Sequence, residues 1–221
     1  MIKHNRISTQ ELLSQLGFPD VDRIIEQYNR LSDDEQTLFS IDLDADEAVD
    51  PVLRTSLRFT LHPSRRYYEL TSFECSLHFR EAPAKNRSHL FDVSRESFTY
   101  KEACNLLSGR AVFEPRPTRQ SPTAGNWVEL NFSLAPRLGR YPYREYRSSS
   151  FDIETALDRL PVLEKNDPAA RSQLLALLKE GTPCWASFVR KSTTDRKLLE
   201  ASPHQKCIVI RPATATVATK E

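Results

Sequence analysis

Residues with the chemistry to act as nucleophiles, bases or metal ligands are scattered along this chain, and their spacing excludes more than it offers. Cys75 and His78, with His62 and His89 in the same region, have a plausible spacing for zinc ligands. On a regular strand, side chains three residues apart point to opposite faces, so a metal site is not expected. Cys104 falls in mid-helix and reads as a small core residue rather than a thiolate. Cys184 and His204 would pair as nucleophile and base only if the last two strands adjoined. Glu69 and Glu74 would serve as paired carboxylates only if a fold brought them to one cleft. The serines lack a G-x-S-x-G elbow, and the glycines (Gly17, Gly109, Gly125, Gly139, Gly181) are too dispersed to cradle a phosphate. No catalytic residue, metal or cofactor is expected, and the chain reads as a non-enzyme.

One stretch stands apart. "RLGRYPYREYR", Arg137 to Arg147, packs four arginines and three tyrosines into eleven residues. Interleaved guanidinium groups and aromatic rings suit single-stranded nucleic acid, because arginine neutralises phosphate while a ring stacks on a base. On that reading Arg137, Arg140, Arg144 and Arg147 contact phosphate and Tyr141 or Tyr143 stacks. The same letters describe an exposed hairpin arm whose arginines decorate its edge and deter edge pairing. From Arg110 to Arg147 seven arginines stand against three glutamates, in contrast to the acidic N-terminal part. A cationic face opposite an anionic end permits contact with DNA or RNA, or with an acidic or nucleoprotein partner.

Composition bounds these readings. The chain has 221 residues, of which 39% are hydrophobic, enough for a packed core. A formal net charge of +1 leaves no global field to draw the protein onto DNA or a membrane, so any nucleic-acid affinity must be local. Four cysteines without a C-x-x-C pair fit reduced thiols rather than a disulfide framework. The start, "MIKHNRISTQELL", has no apolar core of signal-peptide length, and no later run reaches the roughly 18 apolar residues of a membrane span. A cytoplasmic protein is expected.

The elements that must position these residues are well punctuated. "STQE" at Ser8 is a capping signal for a short first helix, a second follows from Asp20, and "SDDE" at Ser32 predicts a third ending near Ile41. The acidic charges of this cluster would repel phosphate. Asp42, Asp44 and Asp46 begin like a calcium loop, but Glu47 stands where glycine is needed and Leu53 where the bidentate glutamate belongs. Residues 42–52 therefore read as a solvated linker. Beyond it, "LRFTLHP" and "RYYELTSFECSLHFR" alternate, with Leu57, Phe59 and Leu61 on one face and Phe73, Cys75, Leu77 and Phe79 on another. The two strands should be antiparallel, joined near "HPSRR", with "EAPAKNRSH" as a loop. "TYKE" at Thr99 caps a helix stopping at Gly109, and "FEPRPTRQSPTAG" is a surface loop. "NWVELNFSL" should be a strand with Arg137–Arg147 as its return arm. A short helix spans about Asp152 to Leu160, and a leucine-rich one runs from Pro168 to Gly181. "CWASFVR" and "CIVIR" are strands around a polar segment.

"NLLSGRAVF" at Asn105 to Phe113, followed by "NWVELNF", "FDIETALDRLPV", "LLALLKEG" and "LLEASPHQKCIVI", resembles an uncharacterised domain family common on conjugative transposons and plasmids of bacteria. "RYYELTSFECSL" resembles that family's opening strand-loop-strand, so the likeness covers about residues 65–210. It implies a mobile-element setting and a fold, and it carries over no active site. The expected fold is α+β: helices over 1–41, an acidic linker over 42–52, a mixed domain of antiparallel hairpins packed on about three helices over 53–211, and a tail over 212–221. The expected function is that of an accessory module contacting nucleic acid or a nucleoprotein through the basic aromatic hairpin. The alternative is a module that binds protein alone.

Overall fold

Side-chain caps set the helix starts. Ser8 accepts a hydrogen bond from the Glu11 amide at the head of α1 (Thr9–Gln15), and α2 (Val21–Ser32) follows. Thr99 and Glu102 form a complete capping box on α3 (Tyr100–Leu107), where each satisfies an amide that the helix leaves bare. Asp152 caps α4 (Ile153–Asp158). Asp167 caps α5 (Pro168–Lys179), which opens on proline, a residue with no N–H to lose there. A computed structural model of the chain describes residues 8–33, 36–62, 67–115, 125–190 and 193–212. The fold is α+β, and the chain divides into two compact units, Met1–Ser108 with Phe132–Pro142, and Gly109–Asn131 with Tyr143–Glu221.

Unit 1 holds a four-stranded antiparallel sheet in sequential order, β1 (Leu38–Leu43), β2 (Val52–Leu61), β3 (Tyr68–His78) and β4 (Arg87–Asp92). The third helix expected to end near Ile41 is therefore a strand, and the N-terminal helices number two among the described residues. Alternation in "LFSIDL" outweighs the acidic capping signal, because pairing sets Phe39 opposite Phe59 and Ile41 opposite Leu57 on the buried face. Asp42 and Leu43 complete β1 and Val52 begins β2, so the acidic linker shrinks to the connection between two paired strands. β4 is the second correction, lying within and beyond the expected loop "EAPAKNRSH".

The alternation in β3 changes phase. Arg58 pairs with Ser72 while Phe59 pairs with Leu70, a bulge that leaves Thr71 unmatched. That extra residue keeps Tyr68 and Leu70 on the same buried face as Phe73, Cys75 and Leu77. Phe18, Phe73 and Phe91 pack at centroid separations of 5.1 Å, and Tyr28, Phe39 and Phe59 form a second aromatic group beside α2.

Unit 2 holds two three-stranded antiparallel sheets. One has the order β5 (Val112–Glu114), β6 (Asn126–Leu130) and β7 (Tyr143–Arg147), and the other the order β10 (Cys207–Arg211), β9 (Thr193–Ser202) and β8 (Cys184–Arg190). The polar segment between the last two expected strands is thus itself a ten-residue strand. It pairs with both neighbours, which overrides its low hydrophobicity. Trp127, Leu157, Leu178, Phe188 and Leu199 share one core, with Leu174 and Leu175 buried from α5 and Leu177 only partly so. Among the described residues no helix is long and apolar enough to cross a membrane. The expected tail from 213 and most of the loop "FEPRPTRQSPTAG", with Arg116 and Arg119, lie outside the described residues.

Gly125 enters β6 with no room for a side chain: a Cβ there would meet the Glu114 carbonyl oxygen at 2.4 Å and the Phe113 ring at 2.7 Å. Replacement by alanine must push β5 away from β6. Gly125→Ala should destabilise the protein by about 1–3 kcal/mol, read as an earlier urea midpoint, with the loss concentrated in Trp127 fluorescence.

Candidate interaction surface

β4 is an edge strand, and an uncovered edge exposes a row of backbone donors and acceptors. The chain covers this edge with its own residues 132–142. The Leu90 N–H donates to the Gly139 carbonyl at 2.9 Å, and the Tyr141 N–H donates to His89 Nδ1 at 3.0 Å. Arg140 reaches Asp92 at 3.1 Å. At the start of the segment the Arg87 guanidinium lies 4.3 Å from the centre of the Phe132 ring, and Phe132 meets Tyr141 edge-on at 4.8 Å.

The segment bends back at a tight turn in which Arg137 and Arg140 exchange both backbone hydrogen bonds, at 2.8 and 3.0 Å. Its two central residues, Leu138 and Gly139, have φ of +50° and +76°. Positive φ at both positions defines the mirror-image hairpin turn, which glycine and asparagine tolerate and leucine does not. Leu138 is nonetheless there, and it is 94% exposed. Leu134, Pro136, Pro142 and Tyr141 line an open cleft of about 520 Å³ beside it, with Arg137 and Arg140 on its rim. Residues 132–142 contain no acid, so the surface is apolar and cationic.

The six residues singled out in the sequence are divided by this architecture. Arg137, Arg140 and Tyr141 belong to unit 1, whereas Tyr143, Arg144 and Arg147 lie on β7 of unit 2. The return arm of the expected hairpin is therefore only its second half, paired from Leu130 opposite Tyr143 to Asn126 opposite Arg147. The expected strand "NWVELNFSL" likewise stops at Leu130. Prolines at 136 and 142 and the turn at 138–139 break the run. Arg140 is held by Asp92, Arg144 donates to Asn131 at 3.0 Å, and the Tyr141 ring packs between Phe132 and His89. Arg137 and Arg147 are exposed, with no ion pair among the described residues.

Other sequence candidates separate further. Glu69 and Glu74 stand opposite Thr60 and Ser56 along β3, roughly 15 Å apart at the rise of a strand. β9 lies between β8 and β10, so the adjacency required for Cys184 and His204 is not present, and burial raises the Cys184 thiol to about 11. His78 contacts Ser76 at 3.0 Å and His62 stacks on Tyr67. Among the described residues no three His, Cys, Asp or Glu side chains are grouped to hold a metal ion.

No family model, curated protein or solved structure matches this chain. The geometry therefore carries the choice between the functional readings.

His89 is the member of this surface that sequence reasoning treated as a stray histidine. It is fully buried directly opposite Cys75, and its signal was its place on the apolar side of "RSHLFD", where a titratable ring needs a neutral form. Burial, with Arg140 nearby adding to it, lowers its pKa from 6.5 to about 4. Between these values the unfolded chain binds a proton that the native state refuses, so this contribution is complete above pH 6.5 and is lost as pH falls towards 4. The loss should reach roughly 3 kcal/mol at the lower end. Urea unfolding from pH 7 to 4 should show a steeper decline in the parent than in His89→Gln.

Proposed function

We propose that this protein is a non-enzymatic interaction module that docks an acidic protein surface through the Arg137–Arg140 turn, within the mobile-element setting implied by its short-motif resemblance. One observation carries the reading: a leucine stands almost fully exposed at the tip of a turn whose backbone disfavours it. Such a conformation costs about 1–2 kcal/mol relative to glycine. Leu138 stabilises nothing within the described fold that would offset this cost, and an exposed leucine beside a cationic rim is suited to an apolar pocket bordered by carboxylates. Phosphate has no use for that side chain.

A nucleic-acid reading is supported by the exposed Arg137 and by Arg144 and Arg147 on β7. Stacking by Tyr141 would require its ring to leave Phe132 and His89. The two readings differ in what they ask of Leu138.

Fluorescence anisotropy against labelled peptides that place an apolar residue among aspartates and glutamates, and against single- and double-stranded DNA and RNA, separates them. Leu138→Asn suits the turn and should raise the melting temperature slightly, while weakening peptide binding about tenfold, or roughly 1.4 kcal/mol. Nucleic-acid binding that is indifferent to Leu138→Asn but lost in an Arg144→Glu, Arg147→Glu double variant would replace the protein-docking reading. Binding of neither class would remove both.

A further inference from the structure

The cationic, apolar turn lies against β4, one edge of the unit 1 sheet, and the opposite edge carries what the turn lacks. β1 is that edge. Where β1 ends beside the start of α2, Pro19, Ile24 and Leu43 line a shallow cleft bordered by Asp20, Asp42 and Asp44. Ile24 is buried as its floor, Leu43 is half-buried, and Pro19 and the three aspartates are exposed. Arg23 pairs with Asp44. The carboxylates of Asp20 and Asp42 make no hydrogen bond or ion pair among the described residues. Asp20 even holds the N-cap position of α2 without capping it, so its charge is unspent.

The two surfaces are level with each other. Pairing sets Asp42 opposite Ser56, Ser56 opposite Glu74, and Glu74 opposite Leu90. The Leu90 amide in turn donates to Gly139, in the turn itself. One cross-strand row therefore runs from the acidic cleft to the cationic turn. Its ends are three strand spacings apart, roughly 14 Å, on opposite edges of a continuously paired sheet. A turn cannot close on the cleft of its own chain.

We propose that the acidic surface met by the turn is this cleft on a second copy of the same chain. The inference rests on the docking role assigned to the turn above and names its partner. Arg137 of one copy meets Asp20 and Asp42 of the next, and Leu138 lies against Pro19 and Leu43. Residues 132–142 contain no acid, while the cleft is lined by three aspartates against one arginine, so the contact is complementary in charge. Because the two surfaces differ, each copy that docks leaves one turn and one cleft open. Association is head-to-tail and continues beyond two copies unless the rotation closes a ring. A single turn contact is far smaller than a standard interface, so a weak Kd, on the order of 100 µM, is expected.

The test is sedimentation velocity on the full chain over roughly tenfold either side of that Kd, at low and high salt. The weight-average sedimentation coefficient should rise with concentration and fall back as salt screens the contact. Leu138→Asn, which removes the turn's apolar tip, and an Asp20→Lys, Asp42→Lys double variant, which reverses the cleft, should each stay monomeric. Mixed together they should form a dimer and nothing larger, since the first still offers its cleft and the second its turn. Thermal melts check that each is folded, and Asp20→Asn with Asp42→Asn replaces the lysine pair if that variant is not. Self-association that survives either variant, or a mixture that does not pair, would overturn the proposal. A parent that stays monomeric throughout also overturns it, and peptide binding then separates two cases. Acidic peptides that still bind in a Leu138-dependent way leave the docking role with a different partner, whereas no peptide binding removes that role as well.

Discussion

The covering of the β4 edge is the constraint from which the exposed features of unit 1 follow. A four-stranded sheet must satisfy or screen its last row of backbone groups, and here the screen is a segment drawn from between β6 and β7. That choice sends the chain out of unit 2 after Asn131 and back at Tyr143. It also fixes what the segment presents. Its carbonyl at Gly139 and amide at Tyr141 are spent on β4, and Arg140 is spent on Asp92. Leu138 and Arg137 are left at the tip, facing outwards.

The segment and the core meet at His89. Its ring is buried as a neutral acceptor for the Tyr141 amide, so the backbone of the covering loop supplies the hydrogen bond that a buried imidazole requires. One position across the sheet, Cys75 is satisfied from the other side by Thr55, which also donates to the Tyr100 hydroxyl on α3. A single row of side chains thus has loop contacts at one end and helix contacts at the other. Apolar residues would fill the same volume with fewer constraints on geometry.

Local signals account well for the helices. Ser8, Thr99, Asp152 and Asp167 act as caps because a side-chain oxygen within three residues of a bare amide needs no tertiary help. The strands with strong alternation, β2 and β3, were legible for a similar reason: their period of two puts Leu57, Phe59, Phe73 and Cys75 on a face that has to be buried. β1, β4 and β9 were not, since a capping motif, a loop-like composition and a polar segment each gave way to pairing with a neighbour distant in sequence.

The sequence by itself determined the α+β class, the starts of the helices at Ser8, Thr99, Asp152 and Asp167, and the concentration of arginine and tyrosine between 137 and 147, because caps, periodicity and composition are local properties. Only the tertiary structure decided that this concentration is split at Pro142 into a covering loop and a strand, and that Thr55, Cys75 and His89 stand in one buried row. Register across a sheet and the packing of a helix on it join residues tens of positions apart, and spacing along a chain contains no term for either.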